Sequence, residues 1–264
     1  MRAHPRVLAL IGVVVTVAAV LAVVLFGHHE DDHTGKSAVP ASPTPRPAVP
    51  SHLGSPEFGL PSVDMFGNRL ETPPDAAGAV VPQDPAQRPD PQTTPDYLSA
   101  APTGLRWEMG WGGAAFGFSG SDGPSRVVNG VACGYADTPQ GAGLAAYDAL
   151  GRALAAPDGV WRRVLDSRYI GAGPALVARL AHSRASTPDA AKYVVVPDGF
   201  RVLPGYRPDF AVVQIAVRAV DGWSYSIWPM AWVAGDWKVR VPDDPEALWD
   251  SVHLDSLTGF GAWK

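Results

Sequence analysis

Three histidines and three carboxylates occupy six consecutive positions, His28-His29-Glu30-Asp31-Asp32-His33, and by residue type alone they could ligate a divalent metal. A metal site also needs fixed geometry and supporting hydrogen bonds around its ligands. The proline-rich chain that follows supplies neither, so the cluster reads as solvated charge and no metal is expected. Beyond residue 103 the only histidines are His182 and His253. No Gly-x-Ser-x-Gly, His-Glu-x-x-His or phosphate-loop pattern accompanies them. His182 is expected near the end of a helix, where its ring meets the terminal carbonyls. Asp137 precedes a helix start, a position for a turn or capping residue rather than an acid catalyst. Cys133 is the only cysteine, so no intrachain disulfide can form. In the apolar run 131–135, with no cation adjacent in sequence, it reads as a small buried hydrophobe. No catalytic residue, metal ligand or cofactor is expected, and the chain reads as a non-enzyme.

The remaining reactive surface is aromatic. Trp223, Trp228, Trp232, Trp237 and Trp249 could serve as sugar platforms in a module that binds cell-wall polymer, or as protein interface. Aromatic residues in strands more often belong to cores or protein interfaces, and Trp228, Trp232 and Trp237 are the candidate interface residues.

These residues are positioned by a chain of four parts. Residues 1–6 form a short stub, and residues 7–26 are apolar except for Thr16. Twenty helical residues span about 30 Å, the thickness of a bilayer's hydrocarbon core. Arg2 and Arg6 precede the run and Glu30, Asp31 and Asp32 follow it, which places the N-terminus in the cytoplasm and the rest of the chain outside. A cleaved signal peptide is the rival reading. The apolar run is too long for a typical signal core, and no small-x-small site follows closely. Residues 27–103 are rich in proline and small polar residues and cannot bury enough apolar surface to fold alone, so a disordered stalk is expected. Its reach would be between about 50 Å as a coil and about 200 Å extended. A short apolar patch at 58–66 either docks on a partner or on the domain, or is a chance break in the linker.

Residues 104–264 read as one exported domain. The net charge of −5 gives no basic field for nucleic acid. Short strands are expected at 105–109 and 114–118, followed by the run 127–135. Thr138 can cap a helix with Pro139 at its first position. Leu144, Tyr147, Leu150 and Leu154 then mark one face, small residues permit close packing beside it, and Asp148 and Arg152 can pair one turn apart. A short helix over about 160–167 and a third opening at Pro174 follow. The periodicity then changes to that of strands at 193–196, 200–203, 210–220, 224–233 and 237–241, joined by turns at Asp221-Gly222 and Ala234-Gly235-Asp236. The strand at 210–220, apolar on both faces, should be central. Helices preceding a long antiparallel sheet define an α+β domain in which the curved sheet can curl round the first helix as a cone.

The run Gly134-Tyr135-Ala136-Asp137-Thr138-Pro139-Gln140-Gly141-Ala142, with Gly235-Asp236-Trp237-Lys238-Val239 much later, resembles an actinobacterial family of single-pass proteins of integrative conjugative elements. Their exported parts are similar to the nuclear transport factor 2-like domains of membrane-anchored assembly subunits in conjugation and type IV secretion machines. Many such subunits carry two of these domains, whereas this chain has room for one. The resemblance implies a scaffold that forms oligomers, contacts other envelope components of a transfer channel and carries no catalytic residues. A small-ligand-binding or enzymatic use of the cone's open mouth is the alternative.

Overall fold

The chain enters its fold well before Gly104. In the computed structural model, which describes residues 57–264, strands β1 (Gly59–Val63) and β2 (Arg69–Thr72) form an antiparallel hairpin. Asp64 builds its turn by accepting the N–H groups of Phe66 and Asn68, both at 2.9 Å. Its second oxygen accepts the Val196 N–H at 2.9 Å, tying the hairpin to the middle of the chain. The patch at 58–66 therefore docks on the domain. The expected stub at 1–6, the membrane span at 7–26, the stalk as far as residue 56 and the His28–His33 cluster lie outside the described residues. Among the described residues no helix is long and apolar enough to cross a membrane.

Strand β2 pairs in parallel with β3 (Arg106–Met109), which pairs antiparallel with β4 (Ala115–Phe118), giving a four-stranded sheet in the order β1-β2-β3-β4. Between β2 and β3 the chain is irregular yet ordered against the domain. Its carbonyls accept donors fixed elsewhere: Arg152 Nη2 to Ala77 O at 2.9 Å, Gln140 Nε2 to Tyr97 O at 2.7 Å and Trp263 Nε1 to Ser99 O at 2.9 Å. This corrects the boundary at 103/104, because one compact unit runs from Phe58 to Lys264. Proline-rich chain cannot form a ladder, but it can still satisfy buried donors with its carbonyl groups.

The run at 127–135 folds back on itself as β5 (Arg126–Val128) and β6 (Val131–Cys133), because Asn129 and Gly130 both take positive φ, the conformation of a two-residue hairpin turn. Helix α1 (Pro139–Ala155) starts as expected: Thr138 is extended and its hydroxyl accepts the Gly141 N–H at 3.0 Å. Gly141 has no room for a side chain, since a Cβ there would lie 2.1 Å from the Ala136 carbonyl oxygen. Helix α2 (Val160–Arg168) leads into the short strand β7 (Tyr169–Ile170), and helix α3 (Pro174–Ser186) buries Leu176 and Leu180.

The strand expected at 193–196 does not form. Val194 O accepts the Ala115 N–H, Val195 O accepts the Tyr147 hydroxyl and Val196 N–H donates to Asp64, so these buried valines are held by scattered partners instead of a neighbouring strand.

Strands β8 (Gly199–Val202), β9 (Phe210–Arg218), β10 (Trp223–Val233) and β11 (Asp236–Arg240) form an antiparallel sheet, extended by β7, which runs parallel to β11. Strand β9 is interior, as its apolar faces require, with β8 on one side and β10 on the other. A final strand, β12 (Ser251–Leu254), pairs with the first half of β10 and was not anticipated. Inner-face residues Val213, Ile215, Trp228, Met230, Trp237 and Val239 join α1 residues Leu144 and Tyr147 in one core. The result is an α+β fold of three helices with curved sheets.

Candidate functional site

The two stretches singled out in the sequence meet at Asp236. This residue follows the β10–β11 turn, where Ala234 and Gly235 both have positive φ and Val233 pairs with Asp236. Its carboxylate accepts the N–H groups of Gly134 at 2.8 Å, Tyr135 at 3.2 Å and Trp237 at 2.9 Å, and a guanidinium N–H from Arg168 at 2.6 Å. Trp237 returns the contact by donating Nε1–H to Ala136 O at 2.7 Å. Gly134 must be glycine, because its φ is +78° and a Cβ would lie 2.0 Å from Ser125 Oγ. The paired stretches are thus a stitch between the start of α1 and the last hairpin of the sheet.

Arg168 closes the stitch from the end of α2. Burial disfavours its charge, but Asp236, Tyr135 and Asp148 together outweigh that, and its pKa lies above the ordinary guanidinium value. Its Cζ sits 5.1 Å over the Tyr135 ring, while its Nε and Nη2 have no hydrogen-bond partner among the described residues. Burial also pushes the Tyr135 hydroxyl well above its usual range. On α1, Asp148 and Arg152, one helical turn apart, form the expected pair at 2.7 Å, and both are buried.

A cleft of about 450 Å³ opens over this stitch, between the β5–β6 hairpin, the last turns of α2 and the β10–β11 turn. Arg126, Arg163, Arg168 and Lys238 line it together with Asp166, Asp236 and Cys133. Cys133 is half-buried at this cleft, not a core hydrophobe, and Arg126, seven positions earlier, stands opposite it across the β5–β6 hairpin; burial nevertheless pushes the thiol pKa up. Sequence reasoning missed the cleft because its walls come from segments about a hundred positions apart. The Asn129-Gly130 turn was the one local signal that could have presented Arg126.

The other candidates fall elsewhere. His182 is exposed on α3, and exposed His253 on β12 meets only Asp255, at 3.2 Å. Asp137 is exposed, lies 4.0 Å from Arg88, and its carbonyl accepts the Tyr206 hydroxyl, a structural position before the helix cap. Trp228 is 2% exposed and Trp237 0%, so neither can meet a partner; the alternation of β10 and β11 turns both inward. Trp232 is half-buried and packs edge-on against Trp237 at 5.4 Å. Among the described residues no group of three or more His, Cys, Asp or Glu could hold a metal.

Fold and site define an α+β domain whose N-terminal edge is built from irregular, proline-rich chain and whose cationic cleft sits over a buried ion-pair stitch. The chain belongs to a family described as a domain of unknown function, DUF8175, whose model matches residues 71–262. The match begins within the segment expected to be stalk. No curated protein and no solved structure matches the chain.

Proposed function

We propose that the protein is a non-catalytic, membrane-anchored scaffold or assembly subunit of a conjugative DNA-transfer apparatus of the type IV secretion kind. Residues 7–26 hold it in the membrane with a cytoplasmic N-terminus, and the folded unit stands outside as a nuclear transport factor 2-like cone, working by contact with other envelope components. The observation that carries the reading is the outer face of the large sheet. Ile227 is 37% exposed and Val233 42%, and half-buried Phe210, Val212, Pro229 and Ala231 lie between and beside them on the same face. A contiguous apolar strip on a domain with so many surface charges is the mark of a protein-binding surface. The packing of α1 on a curved antiparallel sheet supports the cone.

The test is transfer frequency in cells carrying Ile227→Lys or Val233→Lys, with export and melting of each variant measured alongside. Loss of transfer by a stable, exported variant is the expected result, and normal transfer by both would overturn the reading. Orientation is checked with a Ser51→Cys, Cys133→Ser variant, which an impermeant thiol reagent should label in intact cells. A stable His182→Ala or Asp137→Ala variant without transfer would instead favour the ligand-binding alternative, to which the cationic cleft lends independent weight.

A further inference from the structure

Six arginines and lysines have no carboxylate within 4.0 Å among the described residues: Arg126, Arg162, Arg163, Arg201, Lys238 and Arg240. Three of them, Arg126, Arg163 and Lys238, line the cleft over the Asp236 stitch. The charge of the Asp236 carboxylate is balanced by Arg168, with which it pairs at 2.6 Å, so that pair adds no net charge to the cleft. Asp166 is the one other carboxylate in the wall. Three free cations against one free carboxylate leave a surplus of two positive charges. Arg168, 2% exposed, adds two unpartnered guanidinium nitrogens at the same place. Like charges gathered in one concavity repel one another, and an anion relieves that cost. Guanidinium groups present planar, paired donors that match phosphoryl oxygens. The rim also carries apolar side chains, Val128 at 51% exposure and Val233 at 42%.

We propose that this cleft binds a phosphate monoester, its near-dianionic head held by Arg126, Arg163 and Lys238 and its apolar substituent lying over Val128 and Val233. A monocarboxylate would leave one positive charge uncompensated, whereas a phosphate monoester carries about −1.5 to −2 near neutral pH and matches the surplus. A cleft of about 450 Å³ accommodates a small headgroup rather than a polymer. A free phosphate ester and the headgroup of a phosphatidic-acid-type lipid share this chemistry.

Cys133 supplies the reporter, being the only thiol in the chain and part of the cleft wall. The rate of its alkylation is measured on the full chain in phosphatidylcholine nanodiscs, with sodium phosphate, sodium acetate or sodium chloride added at equal ionic strength. It is measured again in nanodiscs containing phosphatidic acid. Saturable slowing by phosphate, and not by acetate or chloride, is expected, with affinity about tenfold weaker in Arg163→Gln and in Lys238→Gln. Arg240→Gln, an unpaired cation outside the cleft, should leave the affinity unchanged, and the melting point of each variant shows that the fold is intact. Slowing by phosphatidic acid, with or without slowing by free phosphate, would identify the lipid headgroup as the ligand, and slowing by free phosphate alone a free ester. The proposal is overturned if neither slows the reaction beyond chloride, if acetate protects equally, or if protection survives in Arg163→Gln and Lys238→Gln.

Discussion

On the inner face of the large sheet Trp228, Met230, Trp237 and Val239 pack against α1, whereas on the outer face of the same strands Ile227 and Val233 meet solvent. The two faces differ in what their residues are asked to do. Tryptophan brings a large apolar area together with one N–H that must be satisfied, and the two fully buried tryptophans of that face have found a partner: Trp237 donates to Ala136 O and Trp228 to Ser226 Oγ at 2.8 Å. The β-branched residues outside have no polar atom to satisfy and tolerate either water or a partner. The fully buried tryptophans therefore mark the core of this domain, and the most exposed residues of its outer strip, Ile227 and Val233, are aliphatic.

The largest expected effect is on the inner face. Trp237→Ala removes a fully buried side chain and should cost about 3–5 kcal/mol of unfolding free energy in denaturant titration. A cost under about 1 kcal/mol would mean that the face assignment is inverted. Asp236→Ala should follow at about 3 kcal/mol, because it strands the buried Arg168 guanidinium and three backbone N–H groups together. If Arg168→Met in the Asp236→Ala background restores most of that loss, the stitch acts through charge pairing; without restoration, its backbone hydrogen bonds dominate.

Local signals in the sequence were legible where the determinant is local. Thr138 and Pro139 announce the start of α1 whatever surrounds them, and the Ala234-Gly235 turn sets the register of β10 against β11. The inner and outer faces of β10 are equally visible as alternation, but which one is buried depends on where α1 lies, so residue type alone left Trp228 and Trp237 among the interface candidates although both are buried. The segment at 73–103 was the least legible. Its order is supplied by Arg152, Gln140 and Trp263, donors contributed by α1 and the C-terminal tail, and composition judged within the segment cannot register them. The cationic cleft was hidden for the same reason: Arg126, Arg163 and Lys238 become neighbours only once the Asp236 stitch is made.

A smaller effect tests the local part of that contrast. Thr138→Ala should cost about 1 kcal/mol through loss of the helix cap. The Thr138 hydroxyl also donates to Asp122 Oδ1 at 2.5 Å, so Thr138→Ser should recover most of the loss. Equal damage from both variants would assign the role to the threonine methyl group instead.

The smallest effect is expected on the outer face, and it decides how the two faces are to be compared. Ile227→Lys places a long stem across the strip with its ammonium in water, as a side chain 37% exposed allows, so unfolding of the isolated protein should change by no more than about 0.5 kcal/mol. Ile227 lies opposite Gln214 on β9, so its direct cross-strand neighbour is polar, and the Arg201 guanidinium that donates to Gln214 lies one strand further on, on β8. Melting of the dilute protein and melting after concentration provide the measurement. A small change under both conditions means that the strip is free in the isolated chain, and any loss of transfer then reports a partner. A large destabilisation that appears only on concentration would show that copies of the chain already cover the strip. The outer face would then be a second core, completed between molecules rather than within one.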